Sequence, residues 1–150
     1  MSHVVSIKTE LKDIAAVKAA CAELGLTFCE NQKTIQWFGS WMNDYDGKDA
    51  AYKLGIKPEQ YGTCDHAIKV PDCRYEIGLL KNPETGGYKL YFDYYGEGRK
   101  IQDALGNNGQ KLLQHYAAHK AIAECRKKGW MVQRTNQQNG TIKLQVTGLA

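Results

Sequence analysis

The chain has 150 residues, 43% of them hydrophobic and 24% charged, with 20 basic and 16 acidic side chains for a formal charge of +4. Such proportions exclude a disordered or fibrous chain, and no apolar run reaches the roughly 20 residues that a membrane-crossing helix needs, whereas a domain of this length buries roughly 70% of its unfolded surface. The cysteines, Cys21, Cys29, Cys64, Cys73 and Cys125, are odd in number with no CxxC pair, which excludes a secreted disulfide framework and predicts reduced thiols.

The opening MSHVVSIKTELKD lacks a charged segment followed by an apolar core, so a cytoplasmic location is expected. Alternation predicts a first strand over about residues 3 to 8, with Thr9 able to cap a following helix. In that helix Leu11, Ile14, Val17, Cys21 and Leu24 form a narrow apolar stripe, and Gly25 ends it. Leu26 to Cys29 and Lys33 to Phe38 read as two strands of a hairpin.

Residues 39 to 62 change character, mixing Gly, Asp, Asn and Pro with aromatic residues and no period of two. The expectation is an ordered excursion over the sheet, with Trp41 packing inward and Tyr45, Tyr52 and Tyr61 supplying contacts. Three alternating strands follow, His66 to Val70, Tyr75 to Leu80 and Tyr88 to Tyr94, joined by the turns PDC and NPETGG. Alternation puts Tyr88, Leu90 and Phe92 on one face and Lys89, Tyr91 and Asp93 on the other.

Residues 99 to 128 read as helix interrupted at Gly106 to Gly109, where Asn108 is the expected N-cap of the longer part. Leu112, Leu113, Tyr116 and Ala123 share one face of that part. Two last strands, Trp130 to Thr135 and Thr141 to Val146, flank Asn139-Gly140, the strongest hairpin signal in the chain. The prediction is one α+β domain with a mainly antiparallel sheet, two main helices on one face, and the order β-α-ββ, excursion, βββ-α-ββ. The expected core is Leu11, Ile14, Val17, Leu24, Ile77, Leu79, Leu90, Phe92, Leu112, Leu113, Tyr116, Ile142 and Leu144.

The segments MSHVVSIKTELKD, YEIGL (75–79), YKLYFDYYG (88–96), LLQHYAAHKAI (112–122) and NGTIKLQV (139–146) together resemble the family of hypothetical chloroplast reading frame thirty-five, also called the domain of unknown function twelve fifty-seven. Between Trp37 and Cys64, and at CDHAI, the chain is similar to the longer bacterial branch. The resemblance implies an α+β fold and a cytosolic or plastid-stroma setting, and supplies no catalytic residues. Genomic neighbours of such proteins suggest an AAA-type ATPase as a partner.

Four patterns bear on chemistry. Cys64, His66 and Cys73, with Cys29 across the sheet, have thiolate and imidazole donors suited to zinc or iron, yet C-x-H-x6-C is not a standard ligand spacing and no metal or cofactor is expected. Asn107, Asn108 and Lys111 stand where a helix N-terminus could take an anion, without the spacing of a phosphate-binding loop. His115 and His119 are one helical turn apart, with no glutamate between them to make an HExxH site, and His119 is placed nearer the buried stripe. The aromatic set, with Lys and Arg nearby, would suit stacking on bases. These patterns favour a non-catalytic binding or adaptor module, with a nucleic-acid-binding protein and a small metalloprotein or enzyme as alternatives.

Overall fold

The computed structural model describes residues 4–36, 63–93 and 96–148, with side chains described from Glu10 onward. Strands β1 (Val4–Leu11), β2 (Thr27–Cys29), β3 (His66–Lys69), β4 (Glu76–Lys81) and β5 (Tyr88–Asp93) form an antiparallel sheet in the order β1-β5-β4-β3-β2. Helices α1 (Ile14–Glu23), α2 (Gly98–Leu105) and α3 (Gln110–Lys127) complete an α+β fold, and β6 (Met131–Asn136) with β7 (Ile142–Thr147) makes a separate two-stranded ribbon.

Register decides which side chains meet. Ile68 lies opposite Ile77, His66 opposite Leu79, and Leu79 opposite Leu90. Ile68, Ile77, Leu79 and Leu90, with Phe92, join Val17, Ala20 and Cys21 of α1, Ile101 and Leu105 of α2, and Leu112 and Tyr116 of α3 in one core. The Tyr116 hydroxyl accepts from Lys12 N at 3.0 Å and Asp13 N at 3.1 Å, so a side chain of α3 fixes the start of α1.

The opposite face of the sheet is covered as well. Tyr91 and Asp93 are each 1% exposed. The Tyr91 ring lies over Gly78, where a Cβ would stand 2.5 Å from Cε1, so a glycine there makes room for the ring. Its hydroxyl donates to the Thr63 carbonyl. Buried Glu76 accepts from Gln36 N at 2.8 Å and Gln32 Nε2 at 3.1 Å, and Cys64 N donates to Lys33 O at 2.8 Å. Residues 32–36 and 63–64, of which Ile35 and Cys64 are buried, thus lie against this second face without forming a strand of the sheet.

Several sequence expectations need correction. Among the described residues no hairpin follows α1: Thr34 makes an isolated bridge to Thr63, and β2 pairs instead with β3, Phe28 opposite Ile68, which puts Phe28 against the core. Residues 37 and 38 lie outside the described residues. The first strand runs on to Leu11, and Asp13 caps α1 in place of Thr9, its Oδ1 accepting from Ala16 N at 3.2 Å. Asn108 is not the N-cap of α3; it sits in the left-handed region at φ 54°, inside the 3-10 turn Asn107–Gly109, and Gly109 at φ 69° occupies the cap. The order is therefore β-α-β, then βββ-αα-ββ, among the described residues.

Burial refines the expected core. Leu11, Val17, Ile77, Leu79, Leu90 and Leu112 are fully buried, with Phe92 and Tyr116 nearly so. Ile14, Leu24 and Leu113 pack only partly against the core, and Ile142 and Leu144 are half-buried on the ribbon. Leu112→Ala should accordingly cost about 2–5 kcal/mol, and Leu113→Ala clearly less. Denaturant titration of the two variants checks the order.

Candidate functional site

The structure separates the sequence-derived metal candidates. His66 Nδ1 accepts from Asn31 N at 2.9 Å, so the neutral ring carries its proton on Nε2, and it sits between Phe28 and Tyr88 at centroid distances of 5.5 and 5.3 Å. Burial pushes its pKa below the ordinary 6.5, against the pull of Glu30 and Asp65. Cys64 Sγ donates to Gln32 O at 3.0 Å, Cys73 Sγ to Glu97 O at 3.2 Å, and Cys29 Sγ points at Thr27 O. Burial drives the Cys21 and Cys64 thiols up to about 12 and raises Cys73 as well. Among the described residues no cluster of three or more His, Cys, Asp or Glu is arranged to hold a metal ion.

Asn107, Asn108 and Lys111 are exposed at the α2–α3 junction. Two N–H groups there are used internally, Gly109 N to Gly106 O and Gln110 N to Asn107 O. Tyr45, Tyr52 and Tyr61, with Trp41, lie outside the described residues.

What the structure assembles instead is a cluster around Glu23, the last residue of α1. Its carboxylate accepts from Arg134 of β6 through the two terminal guanidinium nitrogens, Nη1 to Oε2 at 2.7 Å and Nη2 to Oε1. His115 Nδ1 lies 2.6 Å from Oε1 and His119 Nε2 3.1 Å from Oε2. The two histidines of α3 thus share one carboxylate, and His115 is the less exposed of the pair, contrary to the expectation for His119. The Arg134 hydrogen bond, aided by both histidines, holds the Glu23 carboxyl down at about 2. The sequence marks His115 and His119 as a pair one turn apart, but no local motif joins them to Glu23 and Arg134, which come from elements far apart in sequence.

The cluster fixes the ribbon against the helices by its inner side. Val132, Arg134, Ile142 and Leu144 are half-buried, while Met131, Gln133, Thr135, Lys143, Gln145 and Thr147 on the outward side are exposed. Lys128 Nζ stands 4.7 Å from the Trp130 ring centre where α3 passes into β6. Trp130 is 37%, Val146 45% and Met131 70% exposed. A shallow concavity of about 320 Å³ opens at this end, lined by Met131, Val132, Gln133, Gln145 and Thr147.

Charge is divided in the same way. Residues 110–150 hold Lys111, Lys120, Arg126, Lys127, Lys128, Arg134 and Lys143 against a single carboxylate, Glu124, while residues 1–109 carry 15 acidic and 13 basic side chains. The positive balance of the whole chain therefore resides in α3 and the ribbon. A count of charge by segment, rather than over the full chain, was the sequence signal for this surface.

An α+β sheet layered by helices, with a separate basic ribbon stapled to the first helix through Arg134 and Glu23, is the class of protein that fold and site define. The chain belongs to the family described as a protein of unknown function, DUF1257, which matches residues 45–145. No curated protein and no solved structure matches it. No helix among the described residues is long and apolar enough to cross a membrane.

Because the folded-state value of Glu23 lies below its ordinary 4.5, its stabilising contribution is complete above about pH 4.5 and is lost as pH falls toward about 2. The melting temperature should fall across that window, and Glu23→Gln should both lower it at neutral pH and flatten the acid decline. Iodoacetamide at about pH 8 should leave Cys21 and Cys64 unmodified in the native protein, since alkylation needs the thiolate; mass spectrometry of the labelled peptides checks this.

Proposed function

We infer that this protein is a non-catalytic binding module that docks a macromolecular partner through the β6–β7 ribbon and the adjoining end of α3. The observation that carries this reading is the exposure of Met131, Trp130 and Val146 at the open end of the ribbon, Met131 on its outward side and Val146 on the side of Val132, beyond the point where Arg134 fastens the element down. Large apolar side chains grouped in this way favour burial in a complex, and a rim of basic residues sets its charge preference. The internally hydrogen-bonded and largely protonated thiols of Cys64 and Cys73 favour binding over nucleophilic or metal chemistry. An AAA-type ATPase is the protein partner that the family resemblance suggests.

Met131→Glu places a carboxylate at the centre of this surface without touching the core. It should leave the melting temperature nearly unchanged and weaken co-elution with such an ATPase on size exclusion by about tenfold or more. Co-elution at wild-type strength would remove the ribbon from the docking surface.

A further inference from the structure

We propose that the outward face of the β6–β7 ribbon reads the major groove of duplex DNA, which deepens the docking reading above and rests on it. A two-stranded antiparallel ribbon is one of the elements that fit that groove. Here the ribbon is separate from the five-stranded sheet, and its inner side is occupied by α3 and by the Arg134–Glu23 pair. That leaves the outward side free to approach a ligand.

Side-chain chemistry identifies the ligand. Gln133 lies opposite Gln145, and Thr135 opposite Lys143, all exposed and on one face. Glutamine presents a donor and an acceptor together, which matches an adenine edge, threonine bonds to either kind of base, and lysine pairs with guanine or phosphate. No aspartate or glutamate occurs between Cys125 and Ala150, so no side chain of the ribbon repels phosphate. Cations bracket the face: Lys128 stands at its open end and Lys143 near its turn. The face runs four residue steps from the Met131–Thr147 pair to the Thr135–Lys143 pair, about 13 Å at roughly 3.3 Å per residue, while its two strands lie about 5 Å apart, narrow enough for a groove roughly 12 Å wide. An acidic protein segment would satisfy the charges but not the paired glutamines. Duplex RNA has too deep and narrow a major groove to admit the ribbon.

The test is fluorescence anisotropy of the full chain with labelled duplex DNA of about 20 base pairs, at salt between about 50 and 200 mM. Wild type should bind, with affinity falling steeply as salt rises. Lys143→Ala should weaken binding on every sequence and lower the salt slope by about one. Gln133→Ala with Gln145→Ala should keep most of the affinity on mixed sequence and lose about tenfold of any preference between A·T-containing sites. All three positions are exposed, and an unchanged melting temperature confirms the fold. Absence of binding at about 50 mM salt, binding indifferent to all these substitutions, or equal binding of duplex RNA would overturn the proposal. Ribbon-dependent capture of a protein partner without DNA binding would overturn it too, while leaving the docking reading in place.

Discussion

The pairing of Glu23 with Arg134 decides whether the C-terminal part of the molecule is an ordered surface. A two-stranded hairpin is marginal on its own in water, and β6–β7 lies outside the main sheet, so no further strand in that sheet supports it. It is held by the packing of both strands on α3 with Val132, Ile142 and Leu144 half-buried, by Gln114 Nε2 donating to Gly140 O at 3.1 Å, and by the two-pronged guanidinium grip on a carboxylate that also meets His115 and His119. A bidentate charged pair fixes direction as well as distance, so the inner side is set and the outward side follows.

The same division organises the electrostatics. On the sheet side, polar groups are enclosed and answered locally: His66 takes the Asn31 N–H, and Glu76 takes Gln36 and Gln32. Thiols there are pushed toward the neutral form by burial. On the ribbon side the cations outnumber their possible partners, Arg134 being committed to Glu23 and Lys128 leaning on Trp130. Enclosed chemistry and exposed charge therefore sit in different parts of one chain.

Much of the fold was legible in the sequence because it follows local rules. The alternation of His66 to Val70 and Tyr88 to Tyr94 became β3 and β5, and Asn139-Gly140 turned the ribbon with Gly140 at φ 86°. What was not legible depends on distant partners. Thr27 to Cys29 has no sequence mark for pairing with β3 rather than with the segment just after it, and the burial of Tyr91 on the second face depends on partners as distant as Thr63. Asn108 looked like a cap because asparagine serves there often, but it also tolerates the left-handed region, and two successive left-handed residues make the junction. Glu23 and Arg134 are separated by 111 positions, so neither carried any local sign of the other, and the basic surface was diluted by counting charge over the whole chain.

The pairing of β1 with β5 has a consequence in time. Val4 lies opposite Asp93 and Ile7 opposite Leu90, so the first strand of the chain cannot join the sheet until the fifth has been made. A chain emerging from the ribosome at about 5–20 residues per second therefore carries β1 unpaired for several seconds or more, while α1, whose start is fastened by Tyr116, waits longer still. Closing such long loops makes for slow, non-local folding, and the opening strand and helix are the parts most exposed to wrong partners during that interval.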